Sequence, residues 1–319
     1  MDNSVLGIHH VTAIAGDPQR NMDFYSGLLG LRLVKFTVNF DDPTAYHLYY
    51  GDGVGHPGTI LTFFTWPGAP MGRLGAGQVE EIAFSIPEDA ITFWTNRLGS
   101  RNIKAQSAKT RLGETLLAFT DPDGLRLQLI AHKESSSSYS WKEGPIKTEY
   151  ALRGFYGVTI LEASDKGTSS LLTKTMGFNQ VARAGDLLQY DVGKGGPGTH
   201  LDLLTEPGTS RGVISVGTVH HIAWRTPSDE QQHAWREKLL NAGMNVTPII
   251  DRKYFHSIYY REPGGVLFEI ATDPPGFMID EPVEQLGTRL MLPPWLEPRR
   301  QELMGILPPV NLPEVLRAQ

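Results

Sequence analysis

The chain repeats itself, and no other feature limits its fold as strongly. Pro57-Gly-Thr-Ile-Leu-Thr-Phe-Phe-Thr-Trp-Pro-Gly68 is matched by Pro197-Gly-Thr-His-Leu-Asp-Leu-Leu-Thr-Glu-Pro-Gly208. Glu80-Glu-Ile-Ala-Phe-Ser-Ile-Pro87 is matched by His220-His-Ile-Ala-Trp-Arg-Thr-Pro227, and Asp121-Pro-Asp-Gly-Leu-Arg-Leu-Gln128 by Glu262-Pro-Gly-Gly-Val-Leu-Phe-Glu269. All three pairs are offset by about 140 positions, the signature of a duplicated architecture. A smaller unit recurs within each half. Residues 5–15 read as a strand, and Asp17-Pro18 starts a helix that Gly30 stops. Residues 31–40 are extended, residues 46–50 form a further strand, and residues 59–65 close the unit.

The expected fold class is therefore α+β, with four β-α-β-β-β modules near 5–68, 78–133, 152–208 and 218–273, whose mixed sheets curl into cups. The modules fall into two tandem domains, 1–133 and 152–275. Between them lies a Ser-rich linker at 134–151. Residues 276–319 form a Pro-rich tail, draped over the body or over a partner subunit, so a homodimer stays open.

Composition narrows the chemistry. A chain of 319 residues exceeds one ordinary core, in keeping with the repeat. The formal charge of −6 and the absence of a Lys/Arg cluster argue against a nucleic-acid partner, and no apolar run is long enough to span a membrane. Met1-Asp-Asn-Ser lacks the basic start of a secretory signal, so a cytoplasmic protein is expected. With no cysteine, disulfides, thiolate metal sites and a cysteine nucleophile are excluded. Any metal must be held by His, Asp or Glu.

Two stretches then stand out, Gly7-Ile-His-His-Val-Thr-Ala-Ile14 and Thr218-Val-His-His-Ile-Ala-Trp224. A lone buried histidine is usually a packed core residue, but the same His-His strand twice over points to a metal. Successive strand residues face opposite sides, so alternation leaves His9 against His10, and His220 against His221, undecided. Taking the second of each pair, the first-strand position of modules one to four holds His10, Glu81, Gly157 and His221. The last-strand position holds Thr62, Gln128, Asp202 and Glu269. If module one shares a cup with module four, His10, His221 and Glu269 meet, with Thr62 as a weak fourth group. Two histidines and one carboxylate form the facial triad of non-haem Fe(II) oxygenases, which leaves positions open for substrate and O2. Modules two and three together offer Glu81, Gln128, Gly157 and Asp202, without a histidine. The sequential pairing of modules three and four offers Asp202, His221 and Glu269, the runner-up set. The mundane reading of Glu269 is a buried carboxylate held by a salt bridge.

These stretches, with Leu29-Gly-Leu-Arg-Leu-Val34, Val38-Asn-Phe-Asp-Asp-Pro43, Tyr46-His-Leu-Tyr49 and Leu267-Phe-Glu-Ile-Ala-Thr-Asp-Pro-Pro-Gly-Phe277, resemble the vicinal-oxygen-chelate superfamily over nearly the whole chain. Within it the chain resembles the two-domain extradiol-type ring-cleaving dioxygenases, above all the bacterial ones associated with hydroquinone-type substrates. The stretch Ile258-Tyr259-Tyr-Arg-Glu262-Pro263-Gly264-Gly265-Val-Leu-Phe-Glu269 is similar to the extradiol pattern. The resemblance implies that Tyr259 contacts substrate and that Glu269 binds the metal. It also favours the second histidine of each pair, His10 and His221. The family's upstream histidine is missing from Ile250 to Arg252, which leaves His256 and His47 as candidates for acid–base work. If the turn at 262–265 is a tight hairpin, Glu269 shares a face with His256 and Tyr260; a longer loop puts Tyr259 there instead.

The leading reading is a ring-cleaving oxidoreductase using Fe(II), with Mn(II), Zn(II) or Ni(II) as alternatives, on a small hydroxylated aromatic substrate and O2. One alternative is a metal-dependent glyoxalase or isomerase, which in this superfamily typically takes four protein ligands. Another is a protein that sequesters an aromatic compound without chemistry.

Overall fold

The computed structural model describes residues 4–110, 113–133 and 140–313. Residues 134–139 of the expected linker and the last six residues of the tail lie outside the described residues.

Module one contributes β1 (Ile8–Ala15), β2 (Arg32–Val38), β3 (Tyr46–Gly51) and β4 (Ile60–Thr65); module two contributes β5 (Gln78–Pro87), β6 (Gln106–Lys109), β7 (Thr115–Thr120) and β8 (Arg126–His132). Module three supplies β9 (Phe155–Glu162), β10 (Phe178–Ala184), β11 (Leu187–Val192) and β12 (His200–Thr205). Module four supplies β13 (Val219–Thr226), β14 (Ile250–Asp251), β15 (Phe255–Arg261) and β16 (Leu267–Pro275). Each module has a helical segment after its first strand: α1 (Pro18–Met22), α2 (Ile91–Ser100), α3 (Lys166–Leu171) and α4 (Asp229–Asn241). The Asp17 carboxylate starts α1 by accepting from the Arg20 N–H at 2.8 Å, with Pro18 at the first position. In module four α4 begins at a capping Ser228.

The modules combine crosswise. One eight-stranded sheet runs β14-β15-β16-β13-β1-β4-β3-β2, and the other β10-β11-β12-β9-β5-β8-β7-β6. Each half of the chain thus gives one module to each sheet, and module one shares a sheet with module four. The first strands meet antiparallel at the centre, β1 against β13 and β5 against β9. In every module the first strand pairs parallel with the last, β1 with β4 and β13 with β16 in the first sheet. The rows of side chains at the sheet centre therefore come from the repeated first and last strands. One face of each sheet packs against helices, with Tyr25, Trp224 and Phe268 buried, and the other curls into a cup.

The tail lies on the body rather than elsewhere. The Met291 N–H donates to the Phe36 carbonyl at 2.8 Å, the Thr37 hydroxyl to the Met291 carbonyl at 2.6 Å, and the Tyr46 hydroxyl to the Pro308 carbonyl at 2.9 Å. The buried Lys35 ammonium, which needs partners where water is excluded, pairs with Asp280 at 2.7 Å and with Glu281.

Candidate metal centre

Three adjacent strands of the first sheet bring His10 (β1), His221 (β13) and Glu269 (β16) together. Ala223 pairs with both His10 and Glu269, and His221 sits one step along, opposite Thr12. His10 Nε2 lies 3.2 Å from His221 Nε2 and 3.3 Å from Glu269 Oε2, and His221 Nε2 lies 2.9 Å from that oxygen. All three side chains are buried. Among the described residues they are the group of His, Asp and Glu side chains whose atoms converge as metal ligands would.

The hydrogen bonds around the triad decide how it can be charged. A carbonyl only accepts, so the contact of 3.1 Å between His9 Nε2 and the Thr272 carbonyl puts a proton on that nitrogen. Burial, and then His10 beside it, holds His9 well below the usual histidine range, so its ring is neutral and its Nδ1 is an acceptor. The contact of 2.9 Å between His9 Nδ1 and His10 Nδ1 is then a donation from His10, which leaves His10 Nε2 a bare lone pair. His220 Nδ1 and His221 Nδ1 likewise lie 2.8 Å apart. Burial, with His221 next, pushes His220 down to about 3. Glu269 is buried with His10 and His221, its Oε2 turned toward both rings. Ser257 donates to its Oε1 at 2.5 Å, whereas no hydrogen bond of sound geometry reaches Oε2. A bare nitrogen and an anionic oxygen that converge repel, and a cation between them removes the repulsion. A metal about 2.1 Å from each ligand would set them about 3.0 Å apart at right angles and about 3.4 Å apart at tetrahedral angles. The observed 2.9–3.3 Å spans these two spacings, so the three atoms are placed as ligands of one ion would be.

The triad lies at the wall of a cavity of about 370 Å³, within the range of small-molecule sites. Phe40, Tyr49, Phe64, Trp66 and Phe255 make much of the wall aromatic. Tyr259 stands edge-on to His221 with ring centres 5.7 Å apart, and Arg252 Nε donates to its hydroxyl oxygen at 3.2 Å. Burial, and after it the Glu269 charge, pushes the Tyr259 phenol up, so it keeps its proton. Burial opposes the Arg252 charge, but Tyr259 and Asp41 hold that pKa up; Asp41 lies 2.9 Å away. His47 Nε2 lies 2.9 Å from the Thr62 hydroxyl, which meets the Thr12 hydroxyl at 2.9 Å. Burial first, then His10 and His221, keeps His47 neutral.

Several sequence-derived expectations need correction. His256 is not at the site: on β15 Ser257 and Tyr259 face the cup, so His256 points the other way and pairs with Asp229 of α4 at 2.6 Å. The cause is the turn. The Glu262 carboxylate accepts the N–H groups of Gly264 and Val266, at 2.8 and 2.6 Å, which opens a longer loop and sets Tyr259 opposite Glu269. Thr62 is engaged by Thr12 and His47 rather than joining the triad. Asp202 of the runner-up set is on β12, in the other sheet. Two residues at the site were not anticipated: Ser257 and Arg252. Ser257 could have been found by alternation from Tyr259; Arg252 sits before β15 and carries no periodic signal. The first histidines, His9 and His220, were treated as rivals of His10 and His221, whereas they are the partners that hold them.

Residues 7–129 and 170–270 match the Glyoxalase/Bleomycin resistance protein/Dioxygenase superfamily. The chain belongs to that superfamily. It is 46% identical over 309 residues to "Putative ring-cleaving dioxygenase MhqO" of Bacillus subtilis, covering 97% of this chain and 98% of that one. It is 33% identical to a chlorohydroquinone/hydroquinone 1,2-dioxygenase of Sphingobium indicum, covering 94% and 95%. A crystal structure titled as a "putative dioxygenase" from Bacillus subtilis superposes with a TM-score of 0.93 at 45% identity, covering 98% and 99%. The chain is an oxidoreductase of the ring-cleaving dioxygenase kind. Among the described residues no helix is long and apolar enough to cross a membrane.

Proposed function

We propose that the protein is a non-haem Fe(II) dioxygenase that opens a hydroxylated aromatic ring of the hydroquinone type by extradiol-type cleavage, with His10, His221 and Glu269 holding the metal. One observation carries this reading: two buried imidazole nitrogens and a carboxylate oxygen converge to within 3.3 Å of one another beside an aromatic-walled cavity. Three nitrogen and oxygen ligands on one face suit Fe(II), with Mn(II) the nearest alternative. The relatives of the chain named as ring-cleaving and hydroquinone dioxygenases support the same substrate class.

When bound, the metal supplies adjacent positions for a ring oxygen and for O2 and lets electron density pass between them. The protein's own groups do the rest. Tyr259 keeps its proton and can donate it to an oxygen on the ring, while the Arg252 cation stabilises negative charge that develops there. The neutral His47, its ring fixed by Thr62, can hydrogen-bond the substrate hydroxyl and orient it. The walls at Tyr49 and Phe255 orient the flat ring and keep water out. A glyoxalase-type site with four protein ligands is disfavoured, because the Thr62 hydroxyl is already engaged.

Protein purified without oxygen and reconstituted with Fe(II) is expected to bind about one metal per chain. It should take up O2 with hydroquinone and place both oxygen atoms of labelled O2 in a ring-opened product by mass spectrometry. Metal-loaded protein that consumes no O2 with any hydroquinone or catechol refutes the proposal, as does O2 uptake that yields only a quinone.

A further inference from the structure

The link between β2 and β3 is longer than its copy in module three. There β10 and β11 are joined by Gly185 and Asp186 alone, whereas residues 39–45 join β2 to β3. Two residues are enough to close a hairpin, and extra length in a surface loop often serves a site. This loop is held by its own bonds. The Asn39 N–H donates to the Ala45 carbonyl at 2.9 Å, and the Ala45 N–H to the Asp42 carbonyl at 3.1 Å. The Thr44 hydroxyl donates to the Asp42 carboxylate at 2.6 Å. Phe40 meets Trp295 of the tail edge-on, with ring centres 5.7 Å apart. The loop so built carries Phe40 and Asp41 to the cavity beside the triad. Of the lining residues Asp41 alone is exposed, so the cavity meets solvent beside it.

Arg252 lines the same cavity from module four. Its backbone is fixed by a turn. The Arg252 N–H donates to the Phe255 carbonyl at 3.0 Å, the Tyr254 N–H donates to the Arg252 carbonyl at 2.8 Å, and Lys253 between them has φ +69°. The side chain is fixed at its tip. The guanidinium carbon lies 5.3 Å from the centre of the Tyr259 ring, and Nε donates to the Tyr259 hydroxyl oxygen at 3.2 Å. Nη1 reaches the two oxygens of the Asp41 carboxylate at 3.1 and 2.9 Å. An arginine has several rotatable bonds, and holding it in one direction needs restraint at more than one point. The bond to a neutral phenol is the weaker restraint and the charge-assisted pair the stronger. The next carboxylate whose charge acts on Arg252 is Glu269, a member of the triad. Asp41 therefore opposes a pull on the guanidinium toward Glu269.

We propose that Asp41 is a positioning residue of the ring-opening site: from module one it holds the Arg252 guanidinium of module four on the Tyr259 hydroxyl, where that cation serves the substrate oxygen. Asp41 acts through Arg252 and takes no part in holding the metal. Its effect on turnover rests on the dioxygenase reading above, whereas the placement of Arg252 does not. Because Asp41 is exposed, the pair has the strength of a surface ion pair, and its loss costs a small factor in rate rather than the activity itself.

The test uses the full-length, Fe(II)-loaded protein and O2 uptake with hydroquinone. Asp41→Asn keeps the shape and removes the charge. It should retain its iron and lower kcat about two- to fivefold, the factor an exposed ion pair is worth, with KM little changed. Asp41→Glu should restore most of the loss. Raising salt from about 0.01 to about 1 M shortens the reach of a charge from about 30 to about 3 Å. It should bring the wild-type kcat down toward that of Asp41→Asn and leave the variant's own kcat nearly constant. A second measurement needs no turnover. In protein labelled with nitrogen-15 and loaded with Zn(II), the Arg252 Nε–H is identified by its loss in Arg252→Lys. It should exchange with water about two- to fivefold faster in Asp41→Asn than in the wild type. A wild type that consumes no O2 refutes the ring-opening reading, and the exchange rates then decide this proposal by themselves. Unchanged kcat in Asp41→Asn, a change confined to KM, loss of iron, no rescue by Asp41→Glu, the same salt response in wild type and variant, or unchanged exchange would each overturn it.

Discussion

Glu162→Gln should make the protein more stable in alkaline solution, and the reason lies in a carboxylate pair between the two sheets. Glu162 ends β9, Glu262 stands at the turn before β16, and both are buried. The Thr168 hydroxyl lies between them, 2.7 Å from Glu162 and closer still to Glu262. One hydroxyl proton cannot satisfy two carboxylates. Glu262 is held by two backbone N–H groups, whereas Glu162 Oε1 has no partner, so Glu162 is the group that keeps an extra proton. Burial, and then the Glu262 charge, pushes Glu162 up to about 8 from its usual 4.5. The sign follows from proton counting. Below pH 4.5 both folded and unfolded chains hold the proton; between 4.5 and 8 only the folded chain does; above 8 neither does. Stability therefore falls as pH rises from 4.5 to 8 and levels off above. The slope is at most about 1.4 kcal/mol per pH unit, roughly 4 kcal/mol between about pH 5 and 8 for this group. The amide of the variant supplies an N–H in place of the proton and does not titrate. Thermal midpoints of both proteins, taken about one pH unit above 4.5 and just above 8, measure the difference. The variant should gain over the wild type at the alkaline point and match it or fall slightly below it at the acid one. An equal offset at both points would show that Glu162 is ionised in the folded protein and refute the reasoning.

Other outcomes follow from the site and the tail. His221→Ala should abolish metal binding and activity together, whereas Tyr259→Phe should keep the metal and lower turnover about 10- to 1000-fold, read by iron content and O2 uptake; loss of iron in Tyr259→Phe would place the site on the wrong face of β15. His9→Phe removes the acceptor that orients His10 and should weaken metal affinity roughly 10- to 100-fold in a chelator competition; unchanged affinity would refute the tautomer chain from Thr272. His256→Ala should leave kcat and KM unchanged, since that ring faces α4 and Asp229. Gly287 has φ +74°, and a Cβ there would lie 1.7 Å from the Leu33 carbonyl oxygen, so Gly287→Ala should lift the tail and lower the thermal midpoint; an unchanged midpoint would count against the tail as a structural strap.

Much of this was legible in the residue order. Local chemistry sets the strands and their ends: β-branched runs such as Ile8–Ala15, the Asp17-Pro18 helix start, and turn glycines at repeated places. Because the module is copied, equivalent positions could be compared within one chain. That comparison singled out His10, His221 and Glu269 and favoured a cup shared by modules one and four. The side of each strand was less legible. Side-chain direction has a period of two, so one residue of uncertainty in the turn at 262–266 exchanges Tyr259 for His256. Only the Glu262 carboxylate, folded back onto the Gly264 and Val266 N–H groups, decides between them.

What the sequence determined by itself was therefore the module, its number and the residue types available to a site. These depend on local periodicity and on self-comparison, and neither needs a partner distant in the chain. The tertiary structure alone decided which nitrogen of His10 is bare, because that depends on the Thr272 carbonyl, 263 residues away from His9. It alone placed Arg252 beside Tyr259, Ser257 beneath Glu269 and the tail along Phe36. Contacts of this kind arise when sheets close and bury polar groups that must find partners wherever the fold brings them, and no local pattern records that search.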